Sequence, residues 1–148
     1  MKCLIYLLEL IDYDHYDETD NEDVEERYII GYFSNKESLE QAIALCQKRK
    51  TPHEEIRISE IAMECGNNQK YVYVLFYEYS IMDNGDWADY YEYFAPQSSY
   101  SKCVAQKKQL KQISKYQDNK SRIYDDSIDG FRIEKIKMNY IAHVSYKV

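Results

Sequence analysis

The sequence predicts an α+β fold, built as two tandem β-β-α-β units with mostly antiparallel strands and one helix per half. Three observations carry this. Strand-like alternation opens each half, at Lys2–Ile11 and again at Tyr71–Ser80. A helical apolar stripe follows the second strand of each half: Leu39, Ala42, Ile43 and Cys46, then Tyr100, Cys103, Val104, Leu110 and Ile113. Finally, like residues recur in order. Glu9 matches Glu78, Tyr32-Phe33 matches Tyr93-Phe94, Ser38 matches Ser99, and Arg57-Ile58-x-x-Ile61-x-Met63 matches Arg132-Ile133-x-x-Ile136-x-Met138.

The elements follow from local chemistry. After Lys2–Ile11 a polar loop leads to a strand at Glu26–Phe33. Ser34 and Asn35 are candidate caps for a helix reaching about Lys50, where Thr51-Pro52 breaks it. A third strand covers Glu55–Met63, and Glu64–Gln69 connects the halves. The second half runs through a strand at Tyr71–Ser80, a turn at Asp83–Asp86, a strand at Trp87–Phe94, a helix at Ser98–Tyr116, a polar loop and a strand at Phe131–Met138. Asn84-Gly85 suits a tight hairpin, because both central positions need positive φ. Tyr140–Val148 alternates again and is expected to add an edge strand. The units are placed at 1–66 and 67–148, each so small that a shared core is expected.

Both faces of the opening strands are apolar. Cys3, Ile5, Leu7 and Glu9, with Val72, Val74, Phe76 and Glu78, are expected under the helices. The opposite face carries Leu4, Tyr6, Leu8 and Leu10, then Tyr73, Leu75, Tyr77 and Tyr79, and calls for cover from the other half, a second subunit or a partner.

Composition narrows the function classes. The 148 residues hold 19 basic and 26 acidic side chains, a net charge of −7. Four Gly and two Pro leave little for a phosphate loop or long linker. The apolar start is too short and too soon acidic for a signal peptide, and no run is long enough to cross a bilayer. Cys3, Cys46, Cys65 and Cys103 contain no C-x-x-C pair, so reduced thiols in a cytoplasmic protein are expected, with no zinc site.

Charge is strongly segregated. Ten acids lie from Glu9 to Glu26 with no Lys or Arg among them, leaving the rest of the chain at −7 + 10 = +3. An EF-hand register from Asp12 puts Asp17 where Gly is needed and sits between strands, so no metal is assigned. Two readings compete for Asp12, Asp14, Asp17, Glu18, Asp20, Glu22 and Asp23: a solvated hairpin loop, or an electrostatic bait for a basic partner. Lys102, Lys107, Lys108, Lys111, Lys115, Lys120 and Arg122 form the counterweight. They read as a solvated helix face, a nucleic-acid contact or a complement to a neighbouring subunit's acids.

Tyrosine is the compositional outlier, at 17 copies beside 4 Phe and 1 Trp. Tyr73, Tyr77, Tyr79, Trp87 and Tyr91 fall on the second hairpin, either as a sheet-stabilising ladder or as binding hot spots. Acids interleaved there, with no nucleic-acid motif present, argue against duplex DNA and favour a protein. For catalysis, His15, His53 and His143 share no motif, and G-x-S-x-G, H-E-x-x-H and P-loop patterns are absent. No catalytic residue and no cofactor is assigned. Glu9 and Glu78 read as residues that end buried strand segments, rather than as a coupled carboxylate pair.

Tyr73 to Tyr79 (Y-V-L-F-Y-E-Y), the acidic hairpin, Tyr93-Phe94 before a helix and Phe131 to Lys135 (F-R-I-E-K) resemble a small bacterial strand–strand–helix–strand domain family of unknown function, here once per half. In size, acidity and aromatic content the chain is also similar to bacterial toxin-immunity proteins and phage-encoded inhibitors of host defence. That resemblance implies a non-enzymatic binding protein that engages and inhibits a basic partner, such as a nuclease toxin. The alternatives are a structural or regulatory homo-oligomer, dimeric at its simplest, and a small enzyme with a site between the halves.

Overall fold

The computed structural model describes residues 1–17, 22–117, 120–124 and 127–142, without the side chains of 14–17, 22–25 and 83. The elements are β1 (Lys2–Asp17), β2 (Glu22–Phe33), α1 (Lys36–Arg49), β3 (Glu54–Glu64), β4 (Tyr71–Asp83), β5 (Asp86–Tyr93), α2 (Tyr100–Leu110), a 3-10 turn at Ser114–Tyr116 and β6 (Phe131–Lys137). The fold is α+β, with two antiparallel three-stranded sheets ordered β2-β1-β3 and β5-β4-β6. The chain forms two compact units, Met1–Cys65 with the chain from Ile136 onward, and Gly66–Lys135.

In the first unit β1 pairs with β2 from Tyr6↔Phe33 out to Asp17↔Glu22. Much of the polar loop expected after Ile11 is therefore strand. The acids that suggested a loop alternate with Tyr13, Tyr16 and Val24, which suit an extended backbone. The ladder accommodates register shifts between Leu8 and Glu9 and between Asp12 and His15. β3 lies on the other side of β1, from Lys2↔Glu64 to Asp12↔Glu54.

α1 begins where its cap chemistry predicts. The Asn35 side chain accepts from the amides of Glu37 (2.8 Å) and Ser38 (3.2 Å), and Lys48 and Arg49 lie at the negative end of the helix dipole. Leu39, Ala42 and Cys46 bury against Leu8, Leu10, Ile30 and Phe33. Fully burying one Leu or Ile contributes about 1.5–3 kcal/mol. The helix thus covers the face of Tyr6, Leu8 and Leu10, the opposite of the face expected. Ile5, Leu7 and Ile11 are buried as well, so alternation along β1 has no polar side to mark the helix face.

The chain after β6 belongs to this unit, not to the second as expected. The amides of Asn139 and Ala142 donate to Tyr32 O (2.8 Å) and Ile30 O (2.6 Å) on the outer edge of β2. Asn139 Oδ1 accepts from the amides of Ser34 (2.9 Å) and Asn35 (3.0 Å), which ties the segment to the entry of α1. Gly31 permits this approach, since a Cβ there would sit 2.6 Å from Tyr140 O. The rest of the expected terminal strand, 143–148, lies outside the described residues.

The expectation of four reduced thiols fails for two of them. Cys3 and Cys65 are disulfide-bonded, with Cα atoms 5.9 Å apart, at the end of the β1–β3 ladder. Folding creates this proximity across 62 residues of sequence, which no spacing motif reports. Cys46 and Cys103 are free and buried; burial pushes the Cys46 thiol up and the Cys103 thiol up to about 11. A thiol count on protein denatured without reductant should therefore give two, rising to four after reduction. Four without reductant would rule out the Cys3–Cys65 bond.

In the second unit Asn84 (φ 51°) and Gly85 (φ 87°) close the β4–β5 hairpin, both left-handed as the pair predicts. Ser99 caps α2, accepting from the Lys102 amide at 3.3 Å. α2 stops at Leu110, short of the expected Tyr116. The chain turns there and brings the Tyr116 ring within 5.1 Å of Tyr77, 5.7 Å of Phe94 and 5.9 Å of Phe131. Aromatic packing outweighs the helix propensity of this lysine- and glutamine-rich stretch. No helix among the described residues is long and apolar enough to cross a membrane.

Candidate functional site

The β4–β5 register separates the hairpin into two faces of opposite character. Residues directly opposite on antiparallel strands point to the same side. One face carries the pairs Tyr77–Glu92 and Tyr79–Tyr90; the other carries Phe76–Tyr93, Glu78–Tyr91, Ser80–Asp89 and Met82–Trp87.

The first face is the inside of the unit at Tyr77, whereas Tyr90, farther along it, is 42% exposed. Leu75 and Tyr77 are fully buried against Tyr116 and Phe131. Arg122 Nη1 donates to Tyr77 Oη at 2.6 Å, and its guanidinium lies 4.3 Å from the Tyr79 ring centroid. Desolvation, with the Tyr124 hydroxyl next, pushes the Tyr77 hydroxyl up to about 12, although Arg122 opposes the shift. Tyr79 stacks on Tyr90 at 5.2 Å.

The α2 segment's cations are held within the same unit. Lys107 and Lys111 meet Asp129 Oδ2 at 2.7 Å and 2.9 Å, and Lys115 meets Glu92 Oε1 at 3.2 Å. Burial alone would raise the Asp129 carboxyl, but hydrogen bonds from Lys107, Lys111 and the Phe131 amide outweigh it and hold the group at about 2. Five of the seven residues of the basic run, Lys102, Lys107, Lys111, Lys115 and Arg122, thus have partners within the unit, Lys102 through the Ser98 hydroxyl at 2.9 Å.

The second face turns outward along its length. Phe76 is buried, whereas Met82 and Trp87 are more than half exposed and Tyr91 is 39% exposed. Arg132 from β6 pairs with Glu78 and with Glu134, and its guanidinium lies 4.7 Å from the Phe76 ring centroid. One pair farther along, Asp89 accepts from the Ser80 hydroxyl. A cavity of about 250 Å³ opens beside these side chains, reaching Glu78, Ser80, Asp89, Tyr91, Gly130 and Arg132.

The sequence-selected residues divide accordingly. Trp87 and Tyr91 lie on the outward face. Tyr79 belongs to the inner stack. Tyr77 is fully buried and cannot be an interface residue, which corrects its assignment. Tyr73 is half-buried and structural, exchanging backbone bonds with Gln97 and accepting from Cys103 Sγ. Asp12 is held near His53, 3.9 Å from Nε2. Asp14, Asp17, Glu22 and Asp23 sit in β1 and β2 with side chains outside the description, and Glu18 and Asp20 lie outside the described residues. Asp89, Met82 and Arg132 were not selected. The period-2 register from the Asn84-Gly85 turn would have placed Asp89 beside Trp87 and Tyr91, whereas Arg132 arrives from a strand distant in sequence.

Glu9 is buried, at 4% exposure, with Arg57 as its register neighbour on β3. Glu78 is 41% exposed and paired with Arg132. Among the described residues no group of three or more His, Cys, Asp or Glu is placed to hold a metal ion. No family model, curated protein or solved structure matches this chain.

Proposed function

We propose that the chain is a non-enzymatic binding protein that docks a basic protein on the outward β4–β5 face and inhibits it by covering its nucleic-acid surface. The observation that carries this reading is the exposure of Trp87, Tyr91 and Met82 around Asp89, on a face whose own cation, Arg132, is already paired with two carboxylates. Large aromatics with few rotors, beside a carboxylate, make an anchor suited to a cationic partner. The acid-rich end of the β1–β2 hairpin adds long-range attraction that raises the association rate. Toxin-immunity and anti-defence inhibitors are the functional class this describes.

Tandem duplication of a β-β-α-β unit belongs to the same proposal. Its support is the shared strand–strand–helix–strand order, with the first strand of each half central in its sheet, and a Glu–Arg neighbour pair in each half, Glu9 beside Arg57 in register and Glu78 ion-paired with Arg132. A cytoplasmic setting also belongs to it, with the Cys3–Cys65 bond as the feature that works against it. Self-assembly is the weaker reading for this face. Edge strand β5 carries Asp86 and Asp89, and a second copy would bring like charges together.

The test is capture from native lysate at low and high salt, comparing wild type with a Trp87→Ala/Tyr91→Ala variant. A stoichiometric basic protein, retained at low salt, inhibited by the wild type and lost by at least about tenfold with the variant, is expected. Equal capture by the variant, or an acidic or substoichiometric partner, would sink the reading.

A further inference from the structure

We infer that the Asp89 rung of the outward β4–β5 face is a receptor for a single arginine side chain of the partner. This rests on the reading of that face as a protein-docking surface and specifies what it recognises.

The sheet contains its own template. Arg132 lies with its guanidinium over the Phe76 ring and its terminal nitrogens on Glu78 and Glu134. An arginine on this face is thus held by an aromatic ring below and carboxylates at its edge. The neighbouring rung repeats those ingredients. Asp89 supplies the carboxylate, with Trp87 and Tyr91 two residues away on either side of it and Met82 opposite Trp87. Among the described residues its donor is the Ser80 hydroxyl alone, so a carboxylate that can accept from a forked guanidinium has no cation of its own.

Space and charge agree with this occupant. The cavity of about 250 Å³ is smaller than the ~300–1,000 Å³ of typical small-molecule sites and suits one long side chain. Glu78 and Asp89 against Arg132 leave its lining at net −1, which disfavours an anion. Arg132 Nε lacks an acceptor but is fully buried, so a phosphate in the cavity does not reach it. Arginine is favoured over lysine because a planar guanidinium stacks on aromatic faces while bonding a carboxylate through two nitrogens.

Trp87 is the sole tryptophan, so its emission reports this rung directly. The full chain is titrated at low salt with two peptides of equal length and charge, one alternating Gly and Arg, the other Gly and Lys. Asp89→Asn is compared with Glu60→Gln, a control of equal charge change at an exposed site in the first unit. Asp89 is exposed, and an Asn oxygen still accepts from Ser80, so the fold is retained. A saturable change with the arginine peptide is expected, about tenfold weaker with lysine and about tenfold weaker in Asp89→Asn, but unchanged in Glu60→Gln. Equal affinity for the two peptides, or equal weakening by both variants, would overturn the proposal. If that happens while Trp87→Ala/Tyr91→Ala still loses the captured partner, the arginine receptor fails and the docking face stands. If neither variant has an effect, both fall.

Discussion

Tyr77→Ala is expected to destabilise the second unit by about 4 kcal/mol, in the range for deleting a fully buried aromatic side chain. Tyr77 is the hub of that unit's core. Its ring centroid lies 4.7 Å from Phe131, 5.1 Å from Tyr116, 5.5 Å from Tyr79 and 6.2 Å from Tyr124. Alanine would leave a cavity lined by rings that cannot all collapse inward, because Tyr116 and Phe131 are fixed by their own elements. Its hydroxyl also accepts from Arg122, which donates as well to Lys115 O at 2.6 Å. Tyr77→Phe keeps the ring and removes the hydroxyl that accepts from Arg122 and hydrogen-bonds the Tyr124 hydroxyl at 3.4 Å, so a smaller loss, of about 1 kcal/mol, is expected. Denaturant unfolding, with amide exchange of β4 and β6 as the local readout, checks both. Equal losses for the two variants would show that the hydroxyl, not the ring, dominates.

Asp129→Asn is expected to cost about 2 kcal/mol near neutral pH and progressively less in acid. The carboxylate joins α2 to the start of β6, accepting from Lys107, Lys111 and the Phe131 amide. Its folded pKa of about 2 lies below the ordinary 3.8, so between these values the unfolded chain binds more protons than the folded one. The stabilisation is therefore fully present above about pH 4 and is lost as pH falls from 3.8 towards 2. At 13% exposure the group is sheltered, and lowering from 3.8 to about 2 corresponds to about 2 kcal/mol. Comparing urea midpoints of wild type and variant at neutral pH and near pH 2.5 measures this directly. A gap that does not narrow in acid would show that Asp129 contributes through hydrogen-bond geometry rather than charge.

Much of the architecture was legible because it rests on local chemistry. Asn35 and Ser99 cap the helices as their side chains dictate, and Asn84-Gly85 makes the hairpin because both residues tolerate positive φ. Strand positions followed from alternation. Illegible were the features set by partners distant in sequence: the Cys3–Cys65 bond, the C-terminal segment on β2, the lysines gathered on Asp129, and Tyr77 as core rather than interface. The candidate site was half legible. Trp87 and Tyr91 stood out by composition, whereas the cation-free Asp89 rung emerges only against the Glu78–Arg132 pair beside it.

Sequence alone thus determined the α+β class, the element order, the capped helices and the aromatic hairpin, because propensity, capping and turn preference act over a few residues. Tertiary structure decided which face each helix covers, which cations are neutralised and which tyrosines remain open to a partner. β1 and β4 are apolar on both faces, so a period-2 pattern is satisfied equally by either orientation. Only packing of α1 on Leu8 and Leu10, and of Tyr116 and Phe131 on Tyr77, resolves it.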